Sequence, residues 1–265
     1  MSVGLVVVTF NRPEYLEKTL KSAARHLGDV VDDVIVVNDG SASKYRGSYK
    51  RAYKALDRWP EGVAGVLELP ENHGVAYAKN AGLHYLLSNE ANEWLFVVED
   101  DILAKSPEAI TGYIAACEKS GLSHLSFAHH GPANSGGCVE ADDVITYYPH
   151  SIGAWCIYSR ECLESVGLFD ENMYNAFEHV ELSMRLARAG FTSGAHRFAD
   201  ATGSQNWLAE IKDSIDHSSI RPLPNWQINI RDSLRYWSDN KPETYDELFG
   251  ESRSLHEYAQ RILSS

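Results

Sequence analysis

The sharpest chemical signal in the sequence is a run of three carboxylates, Glu99-Asp100-Asp101, directly after the apolar residues 94–98. Crowded carboxylates raise one another's pKa, and a divalent cation relieves that repulsion. Oxygen ligands suit Mg²⁺ or Mn²⁺, which commonly use one or two carboxylates together with substrate phosphates. The alternative is an ordinary acidic turn in which Asp101 or Ser106 caps the next helix.

Two further segments have the residue types of a nucleotide site. In residues 72–82 a turn at Gly74 leads into a helix, whose first N–H groups and Lys79 could face an anion. The same pattern also fits a turn followed by an Ala-rich helix packed on a sheet. Asp39, within Asn-Asp-Gly-Ser, is either an Asx-turn residue or an acceptor for a base or ribose.

The pair Glu178-His179 lies at the start of a predicted helix. Acidic residues in a first turn stabilise the helix dipole, and Glu181 is spaced to pair with Arg185. That structural explanation does not account for an imidazole beside Glu178. The pair is therefore a candidate general base.

Strand and helix patterns alternate four times in the first 120 residues, which predicts a parallel sheet with right-handed crossovers. Because ligands bind at the carboxyl ends of such strands, the polar clusters above are expected to meet there. After Gly121 the pattern changes. Residues 131–143 are predicted to be a mobile loop, residues 144–148 and 154–158 paired strands around Pro149, and the segment after Trp207 helical.

Composition narrows the classes of function. The 265 residues carry a net charge of −13, which disfavours a surface that follows nucleic-acid phosphates. We expect no membrane span and no signal peptide. The four cysteines have no metal-site spacing and are expected to be reduced packing residues of a cytoplasmic protein. The glycine motifs of dinucleotide-binding folds and of P-loops are absent from the sequence.

In this order, the motifs resemble the family 2 glycosyltransferases of the GT-A fold. The resemblance runs from about Leu5 to Phe191, and its motifs cover residues 7–12, 36–41, 72–82, 96–101 and 153–190. It implies an α/β, Rossmann-like GT-A fold: a mostly parallel sheet flanked by helices, a small antiparallel acceptor-side portion and a helical C-terminal extension. The expected domains are a glycosyltransferase domain at 1–205, with a nucleotide-sugar half at 1–120 and an acceptor half at 121–205, and the extension at 206–265.

The resemblance also implies a nucleotide-sugar donor, most often a UDP-sugar, with Mn²⁺ or Mg²⁺ on its diphosphate. The residues that match the family's nucleotide-contacting positions are Thr9, Asn11, Arg12, Asp39, Asn72, Gly74, Lys79, Asn80 and Asp100. Lys79 replaces the family's usual arginine, which loses a planar, bidentate group. Asp101 matches the direct metal ligand of the Asp-x-Asp motif, whose first member is Glu99 here. His196 and Asp200 are the candidates to complete the metal shell.

On the acceptor side, the family's Glu-Asp pair is replaced by Glu178-His179. Either residue could be the base. Glu178 is the chemically conservative substitute, which leaves His179 as an acceptor or metal contact. The implied reaction is inverting transfer of the sugar to a hydroxyl of a soluble glycan, a protein or a small molecule, with the loop at 131–143 closing over the donor. The alternatives are transfer to a hydroxylated DNA base, an inactive nucleotide-sugar-binding module and a nucleotidylyltransferase.

Overall fold

A computed structural model describes residues 2–214, 216–250 and 252–264 of the chain. Its β-strands, in chain order, are β1 (Ser2–Thr9), β2 (Asp33–Asn38), β3 (Ala64–Glu68), β4 (Asn92–Glu99), β5 (Ile102–Ala104), β6 (His124–Ser126), β7 (Glu140–Ala141), β8 (Ile145–Tyr148), β9 (Trp155–Ser159), β10 (Phe198–Ala201) and β11 (Leu208–Glu210). Its α-helices are α1 (Pro13–His26), α2 (Arg46–Tyr53), α3 (Val75–Leu87), α4 (Glu108–Ser120), α5 (Arg160–Val166), α6 (Glu178–Arg188), α7 (Trp226–Asn240), α8 (Pro242–Phe249) and α9 (Arg253–Leu263).

The central sheet has the strand order β3-β2-β1-β4-β9-β6, and β3, β2, β1 and β4 are parallel. Strand β1 is apolar on both faces because helices cover both. Leu5 and Val7 belong to the core that contains Leu16 of α1, whereas Val6 and Val8 belong to the core that contains Leu86 of α3. The predicted mainly parallel α/β sheet is confirmed, and the first motifs lie at its carboxyl edge.

The predicted pairing of residues 144–148 with 154–158 is wrong. Strand β9 inserts between β4 and β6, antiparallel to both, whereas β8 pairs with β7 and β10 in a separate three-stranded sheet. The physical reason is burial: Trp155, Cys156, Ile157 and Tyr158 are all buried, so β9 needs cover on both faces and takes a place in the central sheet.

The segment after residue 206 is mainly helical, as expected, but it begins with a strand that the sequence did not indicate. Strand β11 pairs antiparallel with the equally short β5. Helices α7, α8 and α9 then form a third apolar cluster, in which Leu234 and Trp237 pack with Met184 of α6. Lys241 anchors this cluster to the main domain through ion pairs of 2.6 Å with Asp170 and 2.7 Å with Glu181.

All four cysteines are free, and three of them are buried. Cys138 is exposed, so the expectation that it packs in the interior is wrong. Within the described ranges, no helix has the length and apolar character needed to cross a membrane.

Candidate functional site

Two adjoining cavities lie at the carboxyl edge of the central sheet. The smaller, of about 60 Å³, is lined by Thr9, Arg12, Asp39, Asn72 and Asp100, among others. The larger, of about 440 Å³, is lined by Glu178, His179 and His130 and by the aromatic side chains of Phe177, Trp226 and Tyr258. The cavities share the lining residues Val75, Glu99, Asn175 and Ile220. A group bound in one cavity would therefore lie beside a group bound in the other.

Asp39 follows β2 and is held by the turn that precedes α3. Its carboxylate accepts hydrogen bonds from the backbone N–H groups of His73 (2.8 Å) and Gly74 (3.0 Å) and from the side chain of Asn72 (2.7 Å). Gly74 has a φ of 92°, and a Cβ there would lie 2.4 Å from the carbonyl oxygen of Tyr174. The structure thus brings Asp39, Asn72 and Gly74 together, as the sequence predicted. Burial raises the pKa of Asp39 in spite of the two backbone hydrogen bonds.

Glu99 ends β4, and Asp100 and Asp101 form the turn after it. The guanidinium of Arg12 lies 3.3 Å from Asp100 and 3.0 Å from Asp101, so the predicted residues do meet. Burial raises the pKa of Asp100 to about 7, although Arg12 acts in the opposite direction. Burial would also raise the pKa of Asp101, but His130 and Arg12 outweigh it and lower that pKa to about 2. Thr9 supports the cluster with a hydrogen bond of 2.6 Å to Asp100.

The structure adds His130, which the sequence analysis did not select. Its Nε2 atom lies 3.3 Å from Asp101 Oδ2 and 3.7 Å from Glu210 Oε1. In the described part of the chain, neither this buried nitrogen nor Asp101 Oδ1 has a hydrogen-bond partner. His130 follows β6, so the rule that ligands bind at the carboxyl ends of strands was the signal that could have found it.

The expected metal ligands His196 and Asp200 are not part of this cluster. Asp200 is buried and accepts hydrogen bonds from Tyr113 (2.7 Å), Ser204 (2.7 Å) and the backbone N–H of Ala128 (2.9 Å). Its carboxylate thus fastens β10 to neighbouring elements. Among the described residues, no hydrogen bond or ion pair joins His196 or Asp200 to the three acidic residues. That part of the chain also holds no group of three or more His, Cys, Asp or Glu side chains arranged to bind a metal ion by themselves.

Lys79 and Asn80, which are expected to contact the nucleotide, form hydrogen bonds with protein groups in the structure. The ammonium of Lys79 is fully buried and donates to Glu99 (3.0 Å), Glu178 (2.9 Å) and the carbonyl of Gly153 (3.3 Å). These three bonds use all its N–H groups, so none remains for a phosphate.

Asn80 and Asn11 likewise fasten loops. Asn80 exchanges hydrogen bonds with the backbone of Phe169, and Asn11 accepts one from the backbone of Ala42. Neither residue lines the two cavities. Of the three residues selected in the first loop, Thr9 and Arg12 line the small cavity and Asn11 does not.

Glu178 and His179 begin α6, after Phe177 in a left-handed conformation with a φ of 67°. Both side chains line the large cavity, and Nδ1 of His179 lies 3.3 Å from Glu178 Oε1. The carboxylate of Glu178 is nearly inaccessible, whereas the imidazole is 23% exposed. Burial would raise the pKa of Glu178, but Lys79 and His179 outweigh it and hold that pKa well below its usual range. The predicted helix start and the Glu181–Arg185 pair are both present.

Comparison with solved structures supports the fold. A mannosyltransferase from Pyrobaculum calidifontis, solved with GDP-Man and Mn²⁺, superposes with a TM-score of 0.64 at 15% identity over 99% of this chain and 74% of its own. S. aureus TarS gives a TM-score of 0.56 at 16% identity over 93% of this chain and 42% of its own. GalNAc-T7, solved with UDP, GalNAc and Mn²⁺, gives a TM-score of 0.59 at 13% identity over 98% of this chain and 54% of its own. The chain thus spans only about half of the latter two.

The sequence itself matches a family profile over part of its length. Residues 5–124, which contain the first loop, Asp39, the turn before α3 and the acidic cluster, match the profile described as Glycosyl transferase family 2. Comparison with curated protein sequences gives no match. Residues 5–124 are therefore similar to glycosyl transferase family 2, and the chain has the fold of the solved GT-A glycosyltransferases.

Proposed function

We propose that the protein transfers a sugar, with inversion and with a divalent cation, from a nucleotide-sugar to a hydroxyl group. A UDP-sugar is the first choice of donor, and a soluble glycan, a protein side chain or a small molecule is the acceptor. The proposal rests on one observation: the two cavities adjoin, and Glu99 lines both of them. One cavity holds Asp39 and the acidic cluster, and the other holds Glu178 and His179.

The residues of the acidic cluster fit a divalent cation. Asp100 and Asp101 supply hard carboxylate oxygens, and the buried Asp101 Oδ1 has no hydrogen-bond partner in the ranges described. Two carboxylates are enough where the diphosphate of the donor supplies the remaining ligands. His130 is a further candidate ligand, in place of His196 and Asp200. A bound Mn²⁺ or Mg²⁺ would supply positive charge that stabilises the departing nucleoside diphosphate.

The other side chains have distinct tasks in this proposal. Asp39 and Asn72 hold the base or ribose at the far end of the small cavity. Arg12, already beside Asp100 and Asp101, adds a fixed positive charge near the diphosphate. The Glu178–His179 pair takes the proton of the acceptor hydroxyl, which attacks the sugar from the large cavity. Attack from the side opposite the leaving group inverts the anomeric carbon.

The small cavity must enlarge before a donor can enter. Its volume of about 60 Å³ is far below the roughly 300–1,000 Å³ of typical ligand sites. Ser219 and Ile220 contribute to its lining and belong to the segment between β11 and α7. We propose that residues 216–225, which include Ser219 and Ile220, shift when the donor binds, together with residues 131–139 before β7.

A thermal-shift screen of UDP- and GDP-sugars with and without Mn²⁺ tests the proposal. Binding to the native state raises the melting temperature through linkage, so the correct donor stabilises the protein, and more so with Mn²⁺. An inactive nucleotide-sugar-binding module would show the same shift. Release of free nucleoside diphosphate in the presence of hydroxyl acceptors distinguishes the enzyme from such a module.

A further inference from the structure

The ammonium of Lys79 is a fully buried charge that pairs with Glu99 and Glu178, two residues that line the large cavity. Its side chain has no exposed surface, and its partners are the carboxylates of Glu99 and Glu178 and the carbonyl of Gly153. A buried charge is tolerated only when it is paired and hydrogen-bonded. Lys79 therefore fixes the position and the ionised state of Glu178, which lies on a different helix.

Glu178 is poorly placed to take a proton from a substrate. Its side chain is 4% exposed, and its Oε1 atom receives both the hydrogen bond from Lys79 and the contact with His179 Nδ1. Protonation of this carboxylate would leave the Lys79 ammonium with one carboxylate fewer in a buried site. The position of Lys79 accordingly argues against Glu178 as the base.

His179 is held by contacts on two sides. Nδ1 faces Glu178 at 3.3 Å, and the backbone of Gly153 packs against the ring so closely that a Cβ there would lie 2.7 Å from Cγ and 2.8 Å from Nδ1. Among the described residues Nε2 has no hydrogen-bond partner, and the side chain lines the large cavity. The titratable groups near the ring are Glu178 on its own helix, Lys79 on α3, and His124 on β6, whose pKa burial lowers to about 4.

We propose that His179 is the catalytic base of the proposed transfer, and that Glu178 and Lys79 are positioning residues. In the reaction, the acceptor O–H proton moves to Nε2 while the acceptor oxygen forms a bond to the anomeric carbon. The bond from that carbon to the phosphate oxygen breaks, and the nucleoside diphosphate leaves with the electron pair. The imidazolium is stabilised by the Glu178 carboxylate and then releases its proton to solvent. The inference deepens the proposed function and rests on it.

The tautomer of His179 tests the geometry without any substrate. A carboxylate facing Nδ1 fixes the proton there and leaves Nε2 unprotonated. Nitrogen-15 NMR of the full chain, at a pH at which the ring is neutral, is expected to show this tautomer. The double variant Lys79→Met/Glu178→Gln removes the ion pair without leaving an unpaired buried charge, and Gly153→Ala displaces the ring; both are expected to mix the tautomers. Glu178→Gln alone replaces the double variant if that variant does not fold.

His84→Ala, an exposed histidine on α3, is the control and should leave the His179 signals unchanged. A proton on Nε2 in the parent protein, or a tautomer that no variant alters, overturns the proposal.

Kinetics separate failure of this inference from failure of the proposed function. With a donor that the protein turns over, His179→Ala should lower the transfer rate 10²–10⁴-fold with donor affinity retained, and Glu178→Gln should lower it at least tenfold. Full activity of His179→Ala contradicts the inference while the function stands. If no UDP- or GDP-sugar is turned over although His179 has the expected tautomer, the proposed function fails and the positioning network remains.

Discussion

Lys79 donates a hydrogen bond of 2.9 Å to Glu178, although 99 residues separate the two along the chain. The bond joins α3, which follows the turn that holds Asp39, to α6, which carries the candidate base. Lys79 also pairs with Glu99, the residue shared by the two cavities. One buried cation thus fixes the spacing between the proposed donor and acceptor sides of the site.

Substitution of the acidic cluster tests the donor site. Asp101→Ala should abolish metal-dependent binding of UDP because it removes the carboxylate that is proposed to bind the metal directly. Asp39→Ala should weaken UDP binding even without metal, since Asp39 would contact the base or ribose. Isothermal titration calorimetry with UDP, with and without Mn²⁺, measures both effects. If Asp101→Ala binds UDP with undiminished Mn²⁺ dependence, the metal assignment is wrong.

A matched pair of histidine variants tests the third metal ligand. His130→Ala should weaken binding of Mn²⁺ with UDP by roughly 10–100-fold, the range typical when a group that supports a metal site is lost. His196→Ala should leave this affinity unchanged, because no hydrogen bond or ion pair joins His196 to the acidic cluster in the described structure. The Mn²⁺ electron paramagnetic resonance signal reports free ion in each titration. Equal weakening by the two variants would contradict the assignment to His130.

The buried carboxylate of Asp200 should make stability depend on pH. Burial raises its pKa to about 6, above that of an unfolded aspartate, so the stability linked to its protonation is lost as the pH rises through 6. The full contribution is on the order of 2–3 kcal/mol for a shift of this size, and about half of it is lost between pH 5 and pH 7.5. Urea unfolding at pH 5 and pH 7.5 measures the difference, which Asp200→Asn should reduce. If the free energy of unfolding changes equally between the two pH values in the parent protein and in Asp200→Asn, other groups cause the change.

The net charge of −13 predicts how the protein behaves toward nucleic acid. We expect no appreciable binding to plain duplex DNA at physiological ionic strength, because counterion release needs a basic surface. A gel-shift titration over a range of salt concentrations measures this. Tight binding that weakens steeply with salt would instead favour a hydroxylated DNA base as the acceptor.

Local sequence patterns predicted the strands and helices of the central sheet and the residues at its carboxyl edge. Buried strands alternating with helices predict a parallel sheet, and such a sheet brings Asp39, Asp100 and Arg12 to one edge. Patterns do not reveal which strands pair, so β9 was assigned to β8 although its burial requires the central sheet. They also could not show that Lys79 is buried, because its partners lie on distant strands and helices. His130 was missed for a similar reason: its contacts with Asp101 and Glu210 exist only in the folded chain.

The most direct test of the central claim is release of nucleoside diphosphate from a panel of UDP- and GDP-sugars, with Mn²⁺ and a mixture of hydroxyl acceptors. We predict that at least one donor is turned over, that removal of the metal by a chelator stops the reaction, and that Asp101→Ala lowers the rate at least a hundredfold. Turnover that is identical in the parent protein and in Asp101→Ala, with and without metal, would contradict the account.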